Sequence, residues 1–97
     1  MNTNNGFVWV FVGANSRFPS GIFISYEAGE EWIMTYKLSG VITKYPLNVG
    51  AYDWAIAQGF FSPKKIEHSS PLFIGKFTCA SMEHYHFECG VRDIAVQ

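Results

Sequence analysis

The chain has 97 residues, enough for one domain (1–97) and too few for two. Hydrophobic residues make up 48% of it and aromatics 18%, which excludes an intrinsically disordered chain, because that much apolar surface builds a core. The formal net charge of −1 and the lack of a basic stripe exclude the electrostatic footprint of a nonspecific nucleic-acid binder.

Residues 1–6 form a polar tail without the positive-then-apolar pattern of an export signal, so the expected compartment is the cytoplasm. The apolar run 7–12 is far too short to cross a membrane and ends at Gly13. Its β-branched and aromatic composition predicts a strand buried on both faces, or a central strand. The turn-rich stretch 14–21 leads to a second, antiparallel strand at 21–24. Ser25 is placed to cap a helix over 26–38, with Ala28, Trp32, Ile33 and Tyr36 at helical spacing. Glu27, Glu30 and Glu31 near its start and Lys37 at its end complement the helix dipole. Gly29 inside it costs about 1 kcal/mol relative to Ala, and Gly40 suits the left-handed stop.

A third strand is expected at 41–45, closed by Pro46. Asn48 is a candidate cap for a short helix over 49–58, apolar on most sides and therefore well buried. A polar loop runs to Ser70. Strands are predicted at 72–79 and 83–89, and the tail 90–97 reads as a frayed strand. The order ββαβαββ implies an α+β fold: a mostly antiparallel sheet of about five strands with two helices packed on one face. The last hairpin has a definite expected register: Phe77 opposite Phe87, Cys79 opposite Tyr85, Lys76 opposite Glu88 and Thr78 opposite His86. Phe73, Phe77, Tyr85, Phe87, Trp32 and Ile33 are then core residues. Cys79 and Cys89 read as reduced, small buried hydrophobes.

The stretch Glu83-His84-Tyr85-His86-Phe87-Glu88-Cys89 carries the most chemistry. Strand alternation puts His84, His86 and Glu88 on one face. Two imidazoles and a carboxylate are ligand types for a divalent metal such as zinc, with Glu67, His68 or Glu83 available to complete the set. The same pattern is that of an ordinary half-buried strand, and no cofactor is the default expectation. Asp53, in a helix that otherwise reads as buried, is either a partner-binding carboxylate or one satisfied by nearby amides. The Gly13–Arg17 loop lacks a phosphate-cradling pattern and precedes a strand. No nucleophile elbow or reactive-cysteine context is present, so catalysis has no route except through the His-rich strand.

Several stretches in order carry a resemblance: Trp9-Val10-Phe11-Val12-Gly13, Leu38 to Pro46, Tyr52-Asp53-Trp54-Ala55-Ile56, Phe73 to Thr78, and Glu83-His84-Tyr85-His86. Together they resemble a family of small uncharacterised bacterial domains that occur as free-standing α+β proteins, over about Trp9 to Glu88. The resemblance implies no catalytic role and carries over no functional residue.

The leading functional expectation is a protein–protein binding module, with toxin neutralisation of the immunity-protein kind as one candidate role by analogy of size. Tyr45, Trp54, Phe60 and Phe61 are the candidate partner-binding residues, because the second helix and its exit carry more rings than one side can hide. A protein partner, no nucleic acid and no membrane are expected, and a homodimer is open. The alternative is a metal-binding protein or metal-dependent enzyme built on His84, His86 and Glu88.

Overall fold

A computed structural model describes residues 6–94. In β1 (Phe7–Gly13) Trp9 and Phe11 are buried, while Val8, Val10 and Val12 between and around them are only half-buried. Successive strand side chains point to opposite faces, so β1 has one core face and one more open face. Of the two readings of this stretch, burial on both faces does not hold, whereas a central strand does, because β1 lies inside the sheet and not at its edge.

β2 (Pro19–Phe23) returns antiparallel to β1, with Trp9 opposite Phe23, Val10 opposite Ile22 and Phe11 opposite Gly21. The register slips before Val12 meets Pro19. α1 (Tyr26–Tyr36) follows, with the Ser25 hydroxyl accepting a 3.2 Å bond from the Ala28 amide as its N-cap. Its stop differs from expectation. Lys37, not Gly40, adopts the left-handed conformation at φ 54° and donates its amide to the Ile33 and Met34 carbonyls. Gly40 instead opens β3 (Gly40–Pro46).

Gly29 has a packing reason. It is buried, and a Cβ there would lie 2.5 Å from Ile42 Cδ1 and 3.1 Å from Phe23 Cδ2. Only a residue without a side chain lets α1 approach the sheet this closely. Ile33 then seats in a core with Trp9, Phe11, Ile42 and Phe87, and Phe23, Tyr26, Trp32, Leu38 and Tyr85 pack around it.

The sheet is completed by β4 (His84–Glu88) and β5 (Val91–Arg92), in the order β2-β1-β3-β4-β5. β4 runs antiparallel to β3, pairing Gly40 with Phe87, Val41 with His86, Ile42 with Tyr85 and Thr43 with His84. It turns into β5 through Cys89 and Gly90, both at positive φ (51° and 84°). Two such residues make the tight turn whose twist matches the strands it joins. Arg92 ties β5 to the helix: its guanidinium lies 3.6 Å from the Tyr85 ring centre and donates a 3.0 Å bond to the Tyr26 hydroxyl. The fold is therefore α+β with an antiparallel five-stranded sheet, as expected; four of the five expected strands are present, and β5, from the tail, stands in place of the expected strand 72–79.

The segment 72–79 is not a strand. It holds α3 (Pro71–Gly75) and a loop. Ser70 accepts a 3.1 Å bond from the Phe73 amide, and Pro71 takes the first helical position, where its missing N–H costs nothing. The hairpin register is overturned with it. Val41 stands opposite His86 where Thr78 was expected, and Val91 opposite Glu88 where Lys76 was expected. Ile33 and Phe87 are buried as predicted, whereas Trp32, Phe73, Phe77 and Tyr85 are half-buried. Cys89 is exposed at its turn and Cys79 half-buried, so neither thiol is a core residue.

The described residues divide into two compact units: 7–45 with 82–94, which contains the sheet and α1, and 46–81 with Gly6. The second unit contains α2 (Ala51–Ala57), one 3-10 turn at Ile66–Ser69, and α3. α2 starts at Gly50 without a side-chain cap, and Asn48 lies before it in a left-handed turn at φ 67°. Only Ala55 of this helix is buried, which corrects the expectation of a helix hidden on most sides. Tyr52 anchors the unit. Its ring meets those of Phe61, Phe73 and Phe77 at 5.5–6.3 Å, and its hydroxyl donates a 2.9 Å bond to the His68 carbonyl.

Candidate interaction surface

The core alternation of the sheet unit decides what its other face carries. Trp9, Phe11, Ile42 and Phe87 point at α1, so their strand neighbours point away from it. On that opposite face stand Val10 and Val12, Val41, Thr43 and Tyr45, and the polar row His84, His86 and Glu88. Ile22 joins them, because its cross-strand partner is Val10. The most open part lies at β2. Ile22 is 65% exposed and Ile24, one residue past the strand, is 87% exposed. β2 is also an edge strand, hydrogen-bonded on one side only, to β1. An edge presents free backbone N–H and C=O groups to an incoming strand.

At one end of the same face lies a groove of about 570 Å³. Its lining includes apolar Val12 and Val41, Ala14 and Asn15 of the turn after β1, and His86 and Glu88 of β4. The backbone there is held by bonds from the Ala14 amide to the Ser39 carbonyl and from the Cys89 amide to the Ser39 hydroxyl, both 2.9 Å.

His84, His86 and Glu88 thus share one face, as alternation required. The His84 and His86 rings meet edge to face at 5.5 Å. His84 Nδ1 lies 2.7 Å from the Met82 carbonyl oxygen. A carbonyl only accepts, so Nδ1 is the donor in this contact. Among the described residues, no group of three or more His, Cys, Asp or Glu is arranged to hold a metal ion. The two loop residues considered as further ligands, Glu67 and His68, belong to the other unit. There His68 Nδ1 accepts bonds from the Lys64 and Lys65 amides at 3.0 and 3.2 Å and shapes the 3-10 turn.

The four aromatic candidates divide between the units. Tyr45 is the last residue but one of β3, half-buried on the face just described. Trp54, Phe60 and Phe61 lie in the second unit, where Trp54 packs on Phe60 at 5.6 Å and Phe61 joins the Tyr52 cluster. Phe60 is 49% exposed, and Trp54 and Phe61 are half-buried. Asp53 is exposed in the first turn of α2, where a carboxylate complements the helix dipole. Ile22 and Ile24 were not foreseen as contact residues. Their signal is the triplet Ile22-Phe23-Ile24: with Phe23 inward, both isoleucines must face out.

On the α1 side, Tyr26, Tyr85 and Arg92 form a polar–aromatic cluster that sequence reasoning also missed. Burial raises the Tyr26 hydroxyl above its ordinary pKa. The hydrogen bond that Tyr85 donates to the Glu83 carboxylate raises its own. Both effects favour the neutral phenol, so the cluster's role is cohesion rather than proton transfer. It holds β5 against α1.

The model of a family described as Domain of unknown function (DUF7710) matches residues 8–93. The chain belongs to that family. The match spans both units and every strand and helix named above except the first residue of β1. No curated protein and no solved structure matches the chain. Membership therefore fixes kinship along the chain and assigns no role to any residue. No helix of the described residues is long and apolar enough to cross a membrane.

Proposed function

We propose that this chain is a protein-binding module, acting in the cytoplasm, that takes up an extended segment of a partner along β2. The carrying observation is the pair Ile22, 65% exposed on the edge strand, and Ile24, 87% exposed one residue past its end. Strand addition gains affinity from main-chain hydrogen bonds and specificity from alternate side chains, and two isoleucines at alternate positions supply the apolar anchors. Toxin neutralisation is one form of the same reading, and it requires the partner to be a toxin.

A photo-crosslinking residue at position 24 tests this in the native host, with position 27 on the solvent side of α1 as control. The expected result is a discrete crosslinked partner from position 24 that is lost when Ile22→Asp is added. Ile22 is a surface residue, so that change should alter stability by no more than about 0.5 kcal/mol. Equal crosslinking from both positions, or none from position 24, overturns the proposal. A crosslink to a second copy of the chain converts it to a homodimer.

A further inference from the structure

The second unit contains a cavity independent of the β2 edge. It has a volume of about 320 Å³ and is lined by Phe61, Phe73, Lys76, Phe77, Thr78 and Cys79. Three phenylalanine rings form its wall. Phe61 stacks on Phe73 at 5.8 Å, and Phe77 meets them edge-on at 5.0 and 5.9 Å. Tyr52 backs the wall at 5.5 Å from Phe77 and is itself fixed by its bond to the His68 carbonyl. The rings are therefore held in place before any ligand arrives, which limits the ordering cost of binding.

The polar groups of the lining stand close together in sequence. Lys76 and Thr78 are exposed, and Cys79 is half-buried. Among the described residues, the Lys76 ammonium and the Thr78 hydroxyl have no ion-pair or hydrogen-bond partner. A mostly apolar pocket with a few uncommitted polar groups is the usual form of a small-molecule site. Its volume is at the low end of the range of about 300–1,000 Å³ for such sites, which suits a body of one ring or a short acyl chain.

Charge selects among such ligands. Ring faces attract cations, but the lining has no Asp or Glu to neutralise one, and Lys76 repels it. An anion meets the opposite situation: the ammonium of Lys76 is available, and the Thr78 hydroxyl can donate beside it.

We propose that this cavity binds a small apolar carboxylic acid, with its ring or acyl body between Phe61, Phe73 and Phe77 and its carboxylate on Lys76 and Thr78. Nothing in this proposal depends on what binds at β2, so either can fail alone.

The two cysteines provide the assay. Cys79 lines the cavity, whereas Cys89 is exposed on a turn of the other unit. Iodoacetamide alkylation of each is followed by mass spectrometry in the presence of 3-phenylpropionate, 3-phenylpropylamine or 3-phenylpropanol. The expected result is saturable protection of Cys79 by the carboxylate, weaker protection by the alcohol, none by the amine, and an unchanged rate at Cys89. Lys76→Gln should weaken protection about five- to tenfold without moving the melting temperature, because Lys76 is exposed and unpaired. Lys64→Gln, in the same unit but outside the lining, should leave it unchanged. Equal protection by amine and carboxylate, protection of both cysteines alike, or full protection in Lys76→Gln overturns the proposal.

Discussion

Replacing Gly29 by Ala sets two known effects against each other, and the packing decides the sign. In an exposed helix interior, Gly→Ala gains about 0.8–1 kcal/mol. Here the new Cβ would stand 2.5 Å from Ile42 Cδ1 and 3.1 Å from Phe23 Cδ2. Ile42 is fully buried within the Trp9, Phe11, Ile33 and Phe87 cluster, so its terminal methyl has nowhere to go. Overpacking of a full core costs about 1–3 kcal/mol. The balance is a net loss of about 0–2 kcal/mol rather than a gain. Ile42→Val removes the offending Cδ1 and by itself costs about 0.5–1.5 kcal/mol. In the double variant the alanine methyl occupies the vacated space, so the two losses must not add. A double-mutant cycle from urea unfolding, followed by tryptophan fluorescence, should give a favourable coupling of about 1 kcal/mol or more. If Gly29→Ala stabilises by the full helix-propensity gain and the cycle closes additively, α1 does not sit against Ile42 as described.

Three further expectations follow from named contacts. Ser25→Ala removes the hydroxyl that accepts the Ala28 amide and should cost about 0.5–2 kcal/mol in the same urea assay. Tyr26 and Tyr85 both hold their protons more tightly when folded, so their stabilisation is complete below the unfolded tyrosine pKa of about 10 and is lost as pH rises through the folded values. The melting temperature should fall above about pH 10, less steeply in the Tyr26→Phe/Tyr85→Phe variant, and identical slopes would show that these phenols are not coupled to folding. Micromolar zinc should leave the melting temperature of the wild type unchanged. A stoichiometric rise that is lost in His84→Ala/His86→Ala would install the metal reading of the β4 face instead.

The elements readable from sequence are those whose determinants are local. α1 was legible because Ser25, the early glutamates and the spacing of Trp32, Ile33 and Tyr36 all lie within one short stretch. The faces of β4 were legible because alternation is a property of adjacent residues. Its partner was not: nothing in His84 to Glu88 says that β3, about forty residues earlier, lies beside it. The run Leu72-Phe73-Ile74 suits a short buried strand or one helical turn equally well. Ser70-Pro71 was the deciding signal, a cap followed by the residue best tolerated at the first helical position. That one misreading displaced the whole expected hairpin. It also hid the cavity, because a strand would have put Lys76 and Thr78 on the face opposite Phe73, Phe77 and Cys79, whereas the turn and loop gather all five around one space.

The open apolar face was missed for a different reason: exposure at an edge is a consequence of topology. Ile22-Phe23-Ile24 reads as buried until β2 is known to be an edge, and then its outward isoleucines become its most informative residues. An apolar edge also invites self-pairing, and the chain limits that locally. β2 has only five residues, begins with Pro19, which has no N–H to donate, and slips register against β1 near Val12. Each of these features shortens the straight run of backbone that a second copy could match. Ile22, on the regular part of the strand, and Ile24, one residue past its end, lie beyond the slip, which leaves that end open to the proposed partner segment. The disruption is confined to one end of β2 and the anchors to the other. That separation favours a short, sequence-specific addition over open-ended stacking of copies.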